Sequence, residues 1–353
     1  MSPQPLHTAL AHTPPATPSH APLAHLEDLA SPEARAAYLG AEAAAVPTRL
    51  WDAALYDPAR AFLAEPGKGF RANLVRLGWD LAGGAPGACP PSLAVVLEWL
   101  HAGSLIVDDI EDGSLTRRGR PALHVSHGLP LALNTGNFLY FAAQMQIEQL
   151  DLALATRLQL HADIVHALVR CHHGQALDIA AHVESLTQGE VAAVVRATTA
   201  LKTGALTSLA ASLGARASGA EPPTVDAIAQ FGADLGIGLQ MLDDLGSMLS
   251  VKRREKALED LRGGHPTWIW AWLAEDADPF TFSRLQTALR HVMEGAPADN
   301  LLAELHDRLS HVGRVRVAAH LDGALARLRE RVGPEANLHA IAAELERLRS
   351  SYV

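Results

Sequence analysis

The sequence predicts an all-α fold of long helices, and three observations carry the prediction. Hydrophobic residues make up 48% of the chain but aromatics only 5%, and Ala and Leu dominate, a composition that favours helix formers over the β-branched and aromatic residues that fill sheets. Five apolar-rich segments, 92–112, 134–152, 155–182, 189–216 and 224–250, contain no proline and are too long for strands. The breakers between such segments are short clusters: Gly83-Gly84-Ala85-Pro86-Gly87 through Pro90-Pro91, Ser218 to Pro223, and Glu294-Gly295-Ala296-Pro297. They read as loops between helices rather than linkers between domains.

The ends of the chain differ in character. Met1 to about Pro22 mixes Pro, His, Thr and Ala without a basic start, an apolar run or an Arg-rich amphipathic pattern, so neither a signal nor a transit peptide is expected. Residues 1–24 are expected to be a disordered tail, and 25–353 one domain. Residues 299–353 are rich in Leu, Ala, Arg and Glu and read as amphipathic packing helices. A net charge of −10 gives no reason to bind nucleic acid. The two cysteines, Cys89 and Cys171, suit neither a disulfide framework nor a zinc cluster, and a reducing cytoplasm fits them. Glu98 and His101 interrupt the longest apolar run, so no membrane span is expected.

The chemistry concentrates in a few places. Segment 92–112 is apolar on nearly all sides, yet Glu98, His101, Asp108 and Asp112 fall on one stripe at steps of three, seven and four, with Asp109 beside them. Three carboxylates at the end of a buried helix repel one another and oppose its dipole, so they call for cations or water. A second pair, Asp243-Asp244, ends the apolar run Phe231 to Leu242, with Gln240 and Ser247 near the same face. Facing each other, the two clusters could hold several Mg²⁺ ions that keep part of their water and use phosphates as further ligands. Hard oxygen donors without clustered Cys or His argue for Mg²⁺ over zinc. Cations lie nearby in Arg117-Arg118-Gly119-Arg120-Pro121 and Gly67-Lys68-Gly69-Phe70-Arg71, and guanidinium groups suit diphosphate oxygens. Gln175, Asp178 and Lys202-Thr203 add polar groups within apolar helices.

Taken in order, Gly67-Lys68-x-x-Arg71, Glu98-x-x-His101, Asp108-Asp109-x-x-Asp112, Arg117-Arg118-Gly119-x-Pro121, Gln175-x-x-Asp178, Lys202-Thr203, Gln240-x-x-Asp243-Asp244 and Asp260-Leu261 resemble the trans-polyprenyl diphosphate synthase family over roughly residues 45–275. The resemblance implies a single bundle of long antiparallel helices around a deep apolar cavity. It also implies condensation of isopentenyl diphosphate with an allylic diphosphate in a homodimer. Asp108, Asp109, Asp112, Asp243 and Asp244 would hold about three Mg²⁺ ions. Lys68, Arg71, His101 and Arg118 would bind isopentenyl diphosphate, and Arg117, Lys202 with Thr203, and Gln240 the allylic diphosphate. Asp108, Asp109, Lys202 and Gln240 form the expected catalytic set. Product length would be set by Gly103 and Ser104, whose small side chains imply twenty carbons or more.

The chain departs from that family at three points. Ser247 stands where the second motif should end in a carboxylate, His265 where a lysine is usual, and Gly136-Asn137 where Gly-Asp is usual. Two rival readings therefore stand beside the synthase: a terpene cyclase on the same bundle, since Asp243-Asp244-Leu245-Gly246-Ser247 partly resembles a cyclase metal motif, and a non-catalytic partner subunit of a heteromeric synthase.

Overall fold

The computed structural model describes residues 21–65, 69–332 and 338–352. The tail begins earlier than expected to fold: helix α1 (Ala21–Ala30) already includes residues 21–24, while residues 1–20 lie outside the described residues. Short helical turns follow, then α2 (Phe70–Leu81), α3 (Pro91–Glu111), α4 (Leu129–Glu148), α5 (Leu154–Ala180), α6 (Gln188–Thr199), α7 (Ala205–Ala217) and α8 (Pro222–Leu249). The C-terminal part adds α9 (Arg254–Gly263), α10 (Trp268–Asp276), α11 (Pro279–Met293), α12 (Asp299–Val332) and α13 (His339–Tyr352). The fold is all-helical, as expected, and its buried apolar residues form one connected core.

Helix starts follow local chemistry. Pro91, Pro130 and Pro222 sit in the first turns of α3, α4 and α8, where a missing N–H costs nothing because the first amides of a helix lack intrahelical acceptors. All three helices therefore begin earlier than the proline-free segments 92–112, 134–152 and 224–250. The segment expected as one helix over 189–216 is interrupted: between α6 and α7, residues Ala200–Gly204 form a π-helical turn that carries Lys202 and Thr203. A hairpin, the only one among the described residues, pairs β1 (Thr116–Arg117) antiparallel with β2 (Arg120–Pro121) after α3. Its turn residues Arg118 and Gly119 both have positive φ, 53° and 79°, the backbone demanded by a turn matched to strand twist.

Glycine sets the spacing of the central helices. A Cβ on Gly78 would lie 2.0 Å from the carbonyl oxygen of Ala211, and one on Gly214 would lie 1.9 Å from that of Val75, so α2 and α7 approach backbone to backbone. Gly103 and Gly136 do the same for α3 and α4, where a Cβ on Gly103 would lie 2.7 Å from Gly136 O. An apolar hollow of about 180 Å³ remains between α2, α8 and α13, bounded by Phe70, Leu74, Leu77, Leu235, Ile341 and Leu345.

The glycine spacing predicts opposite outcomes for two Gly→Ala changes. Gly214→Ala should destabilise the protein by about 1–3 kcal/mol, since the methyl group forces α2 and α7 apart. Gly189→Ala, with nothing within 4 Å of its added carbon, should leave the melting temperature unchanged or raise it. Equal melting temperatures for the two variants would contradict the crossing.

Candidate active site

Both acidic pairs lie in the last two turns of buried helices, and in each pair one residue faces out and the other in. Consecutive helical residues point about 100° apart, which turns the two carboxylates of each pair toward different surroundings. Asp109 is 1% exposed and Asp244 6%, whereas the side chains of Asp108 and Asp243 are 18% and 24% exposed.

Asp108 is the hub of the first cluster. Lys202 Nζ lies 2.9 Å from its Oδ1 and 2.7 Å from Asp178 Oδ2. Gln175 Nε2 donates to Asp108 Oδ1 at 3.1 Å and to Glu111 Oε2 at 2.8 Å. Arg117, brought back by the hairpin, lies 3.5 Å from Asp108 Oδ2 and donates through Nε to Asp109 Oδ1 at 2.8 Å, with a second bond from Nη2. Burial disfavours the charged Lys202 ammonium, but Asp178 and Asp108 more than offset this and push its pKa up. Asp112, the cap residue of α3, has its pKa raised by burial and then by the charge of Asp108.

The second cluster is arranged alike. Arg253 Nη2 and Lys256 Nζ bond to the two oxygens of Asp243. Burial pushes the Asp243 carboxyl up, but Lys256 and Arg253 hold it below its ordinary range. Asp244 accepts from Gln240 Nε2 at 2.9 Å and from the backbone N–H of Trp268 at 2.8 Å. Burial, offset only in part by those two donors, raises its pKa to about 7. Ser247 does not stand in for the missing carboxylate, because it is buried and its hydroxyl donates to Asp243 O at 2.8 Å.

The π-turn joins the two clusters. Lys202 reaches Asp108, and the next residue, Thr203, donates to Gln240 Oε1 at 3.3 Å, from which the chain of bonds continues to Asp244. Such single-turn insertions re-aim side chains that a regular helix would point elsewhere. Gly174 on α5 lets the turn approach, since a Cβ there would lie 2.6 Å from Lys202 N, and the Cys171 thiol donates to Lys202 O at 3.6 Å.

A cationic group lies further up α3. Arg71 Nη1 donates to His101 Nε2 at 3.0 Å, and burial together with Arg71, Arg118 and Arg117 holds the His101 pKa well below normal. Glu98 is raised by burial but sits in the field of Arg71 and Arg118. Arg118 donates to Glu65 O at 2.7 Å. Lys68, expected beside them, lies outside the described residues.

Gly103, Asp109 and Asp244 are placed differently from expectation. Gly103 does not line an open cavity, because it is buried against Gly136 of α4; its lack of a side chain serves helix packing. Ser104 is the small residue left on the Asp108 stripe, half-buried, with its hydroxyl donating to His101 O at 2.8 Å. Asp109 and Asp244 differ from outward ligands in being turned into the protein. Sequence reasoning also missed Arg253 and Lys256; the available signal was two cations within four turns of Asp243 in a polar stretch that reads as solvated surface.

The donors suit a hard divalent cation. Asp108, Asp112 and Asp243 offer carboxylate oxygens without thiols or imidazoles, and Asp109 Oδ2 is buried without a hydrogen-bond partner. Among the described residues no three Asp, Glu, His or Cys side chains converge on one point, since the outward carboxylates are engaged by Lys202, Arg117, Arg253 and Lys256.

The sequence profile of the polyprenyl synthetase family matches residues 52–302. The chain is 30% identical over 215 residues to a geranylgeranyl pyrophosphate synthase of Dictyostelium discoideum, covering 60% of this chain and 67% of that protein. It is 32% identical over 259 residues to a short chain isoprenyl diphosphate synthase of Methanothermobacter thermautotrophicus, covering 71% and 75%. The matched stretch thus spans about two thirds to three quarters of these relatives. A solved geranylgeranyl pyrophosphate synthetase of Pyrococcus horikoshii superposes with a TM-score of 0.64 at 25% identity over 79% of this chain and 84% of that one. The heptaprenyl diphosphate synthase of Staphylococcus aureus, at 19% identity, has a TM-score of 0.71 over 86% and 96%, a likeness of fold.

The pKa of Asp244 generates a prediction for metal-free protein. The native carboxyl holds its proton up to about pH 7, whereas the unfolded one releases it near 3.8, so stability falls as pH rises between those values. In EDTA, wild type should lose melting temperature from pH 5 to pH 8, and Asp244→Asn should lose less. An identical slope in both proteins would refute the assignment.

Proposed function

This chain belongs to the polyprenyl synthetase family, and on that premise we propose that it is a Mg²⁺-dependent prenyltransferase joining isopentenyl diphosphate to an allylic diphosphate. The observation that carries the reading is the π-turn, whose Lys202 and Thr203 tie the Asp108 cluster to the Gln240–Asp244 pair. One segment of backbone thereby brings two acidic helix ends into a single site.

Each group has a task in this chemistry. Asp108, Asp112 and Asp243 would hold Mg²⁺, which when bound supplies positive charge to diphosphate oxygens. Asp109 holds Arg117 in place, and Asp244 holds Gln240. Arg117, Lys202 and Lys256 stabilise charge developing on the departing diphosphate. The allylic carbon–oxygen bond breaks, the isopentenyl double bond forms the new carbon–carbon bond, and a proton leaves to the released diphosphate. The apolar walls of α3 exclude water from the allylic cation. Arg71, His101 and Arg118, with Lys68, hold isopentenyl diphosphate. Neutral His101 suits that place because it accepts from Arg71 and so fixes the guanidinium. Ser104, one turn below Asp108, leaves room for products of geranylgeranyl length or longer. A cyclase needs no isopentenyl site, and a non-catalytic subunit needs no intact first motif; neither rival accounts for both.

A homodimer and a cytoplasmic location belong to the same reading. Leu129, Leu133 and Phe141 on α4 and Leu158, Val165 and Val169 on α5 are exposed apolar side chains at helical spacing, a stripe that a second copy would cover. No helix of the described residues is long and apolar enough to cross a membrane, and both cysteines are unpaired.

Incubation with radiolabelled isopentenyl diphosphate and each allylic diphosphate should give labelled prenyl products of twenty carbons or more after dephosphorylation. Asp108→Ala should reduce turnover by orders of magnitude with an unchanged helical spectrum. Label incorporated at the same rate by this variant would overturn the site. Phe141→Glu should shift the wild-type dimer toward monomer in sedimentation analysis, and an unshifted dimer would place the interface elsewhere.

A further inference from the structure

We propose that Arg253 gates the site: it occupies Asp243 until diphosphate arrives, so that metal and diphosphate bind together rather than singly. The inference rests on the prenyltransferase reading above and assigns a positioning role to a residue outside the expected site.

The geometry is specific. Asp243 has two oxygens, and each is taken by a different cation, Oδ1 by Arg253 and Oδ2 by Lys256. Both cations come from the segment after α8, where Ser250 is extended (φ −94°, ψ 125°) and Val251–Arg253 form a single 3₁₀ turn before α9. Val251 is 90% exposed, and Arg254 anchors the far side of the turn to Asp299 at 2.5 Å. Arg253 therefore lies on a short arm tethered at both ends, its side chain 29% exposed beside a carboxylate 24% exposed.

A divalent cation and Arg253 compete for the same oxygen of Asp243. If the ion took that oxygen alone, it would leave a displaced guanidinium beside a new positive charge, an arrangement that repels. An arriving diphosphate removes this cost, because guanidinium pairs with phosphate oxygens through paired N–H donors. Arg253 thus disfavours metal without diphosphate and favours metal with it, which is a coupling free energy between two ligands. Lys256, drawn also toward Asp260 and Asp244, keeps Asp243 paired while Arg253 moves.

Calorimetric titration of Mn²⁺ into the protein, with and without saturating inorganic diphosphate at matched free Mn²⁺, tests the gate. Wild type should bind Mn²⁺ more tightly with diphosphate by at least about fivefold. Arg253→Gln should bind Mn²⁺ more tightly than wild type when diphosphate is absent and more weakly when it is present, so the enhancement shrinks. Arg253→Lys, which keeps the charge, should restore part of the enhancement and controls for loss of fold. Equal enhancement in wild type and Arg253→Gln would overturn the gate while leaving the prenyltransferase reading intact. A wild-type protein that binds neither Mn²⁺ nor diphosphate would instead overturn that reading.

Discussion

The structure turns on one electrostatic problem: carboxylates placed near the C-terminal ends of apolar helices. A helix end already carries partial negative charge, and burial makes added negative charge costly unless cations meet it. Asp108 and Asp109 near the end of α3, and Asp243 and Asp244 near the end of α8, create that problem twice. Distant parts of the chain supply the cations: the hairpin brings Arg117, the π-turn brings Lys202, the arm before α9 brings Arg253, and the first turn of α9 brings Lys256. Except for Lys256 on α9, these cations come from elements that break helical regularity.

Helical geometry then divides the work. Within each pair the inward aspartate is held by donors of the protein, Asp109 through one oxygen by Arg117 with its other oxygen unpartnered, and Asp244 by Gln240 and Trp268 N–H. The outward aspartate is held by partly exposed cations, Lys202 and Arg117 on Asp108 and Arg253 and Lys256 on Asp243. A buried support and a more exposed face emerge from two adjacent residues of the same type. The glycine contacts matter for the same reason. Gly174 sets how close the π-turn comes to α5, and Gly103 with Gly136 sets how close α3 lies to α4.

Much of this was legible in the sequence. Proline-free apolar segments located the helices, because a strand cannot run that far and a loop cannot be so apolar. The ordered motifs brought Asp108, Arg117, Lys202 and Gln240 to one region. Other features were hidden for definite reasons. The π-turn keeps the apolar spacing of an ordinary helix, so periodicity over 189–216 does not reveal it. Gly103 could equally serve a cavity or a helix contact, and only the position of Gly136 decides. The inward turn of Asp109 and Asp244 follows from the helical step and could have been read from it. Arg253 and Lys256 lie in a stretch whose composition matches solvated surface, and nothing local marks their reach to Asp243.

The central claim is that the two outward aspartates share one metal-binding face while the inward pair stays engaged within the protein. Anomalous diffraction from crystals soaked with Mn²⁺ and inorganic diphosphate tests it most directly. The account predicts ion peaks against Asp108 and Asp112 on one side and Asp243 on the other, with Asp109 still bonded to Arg117 and Asp244 to Trp268. Peaks remote from both helix ends, or Asp109 turned outward onto an ion with Arg117 released, would contradict it.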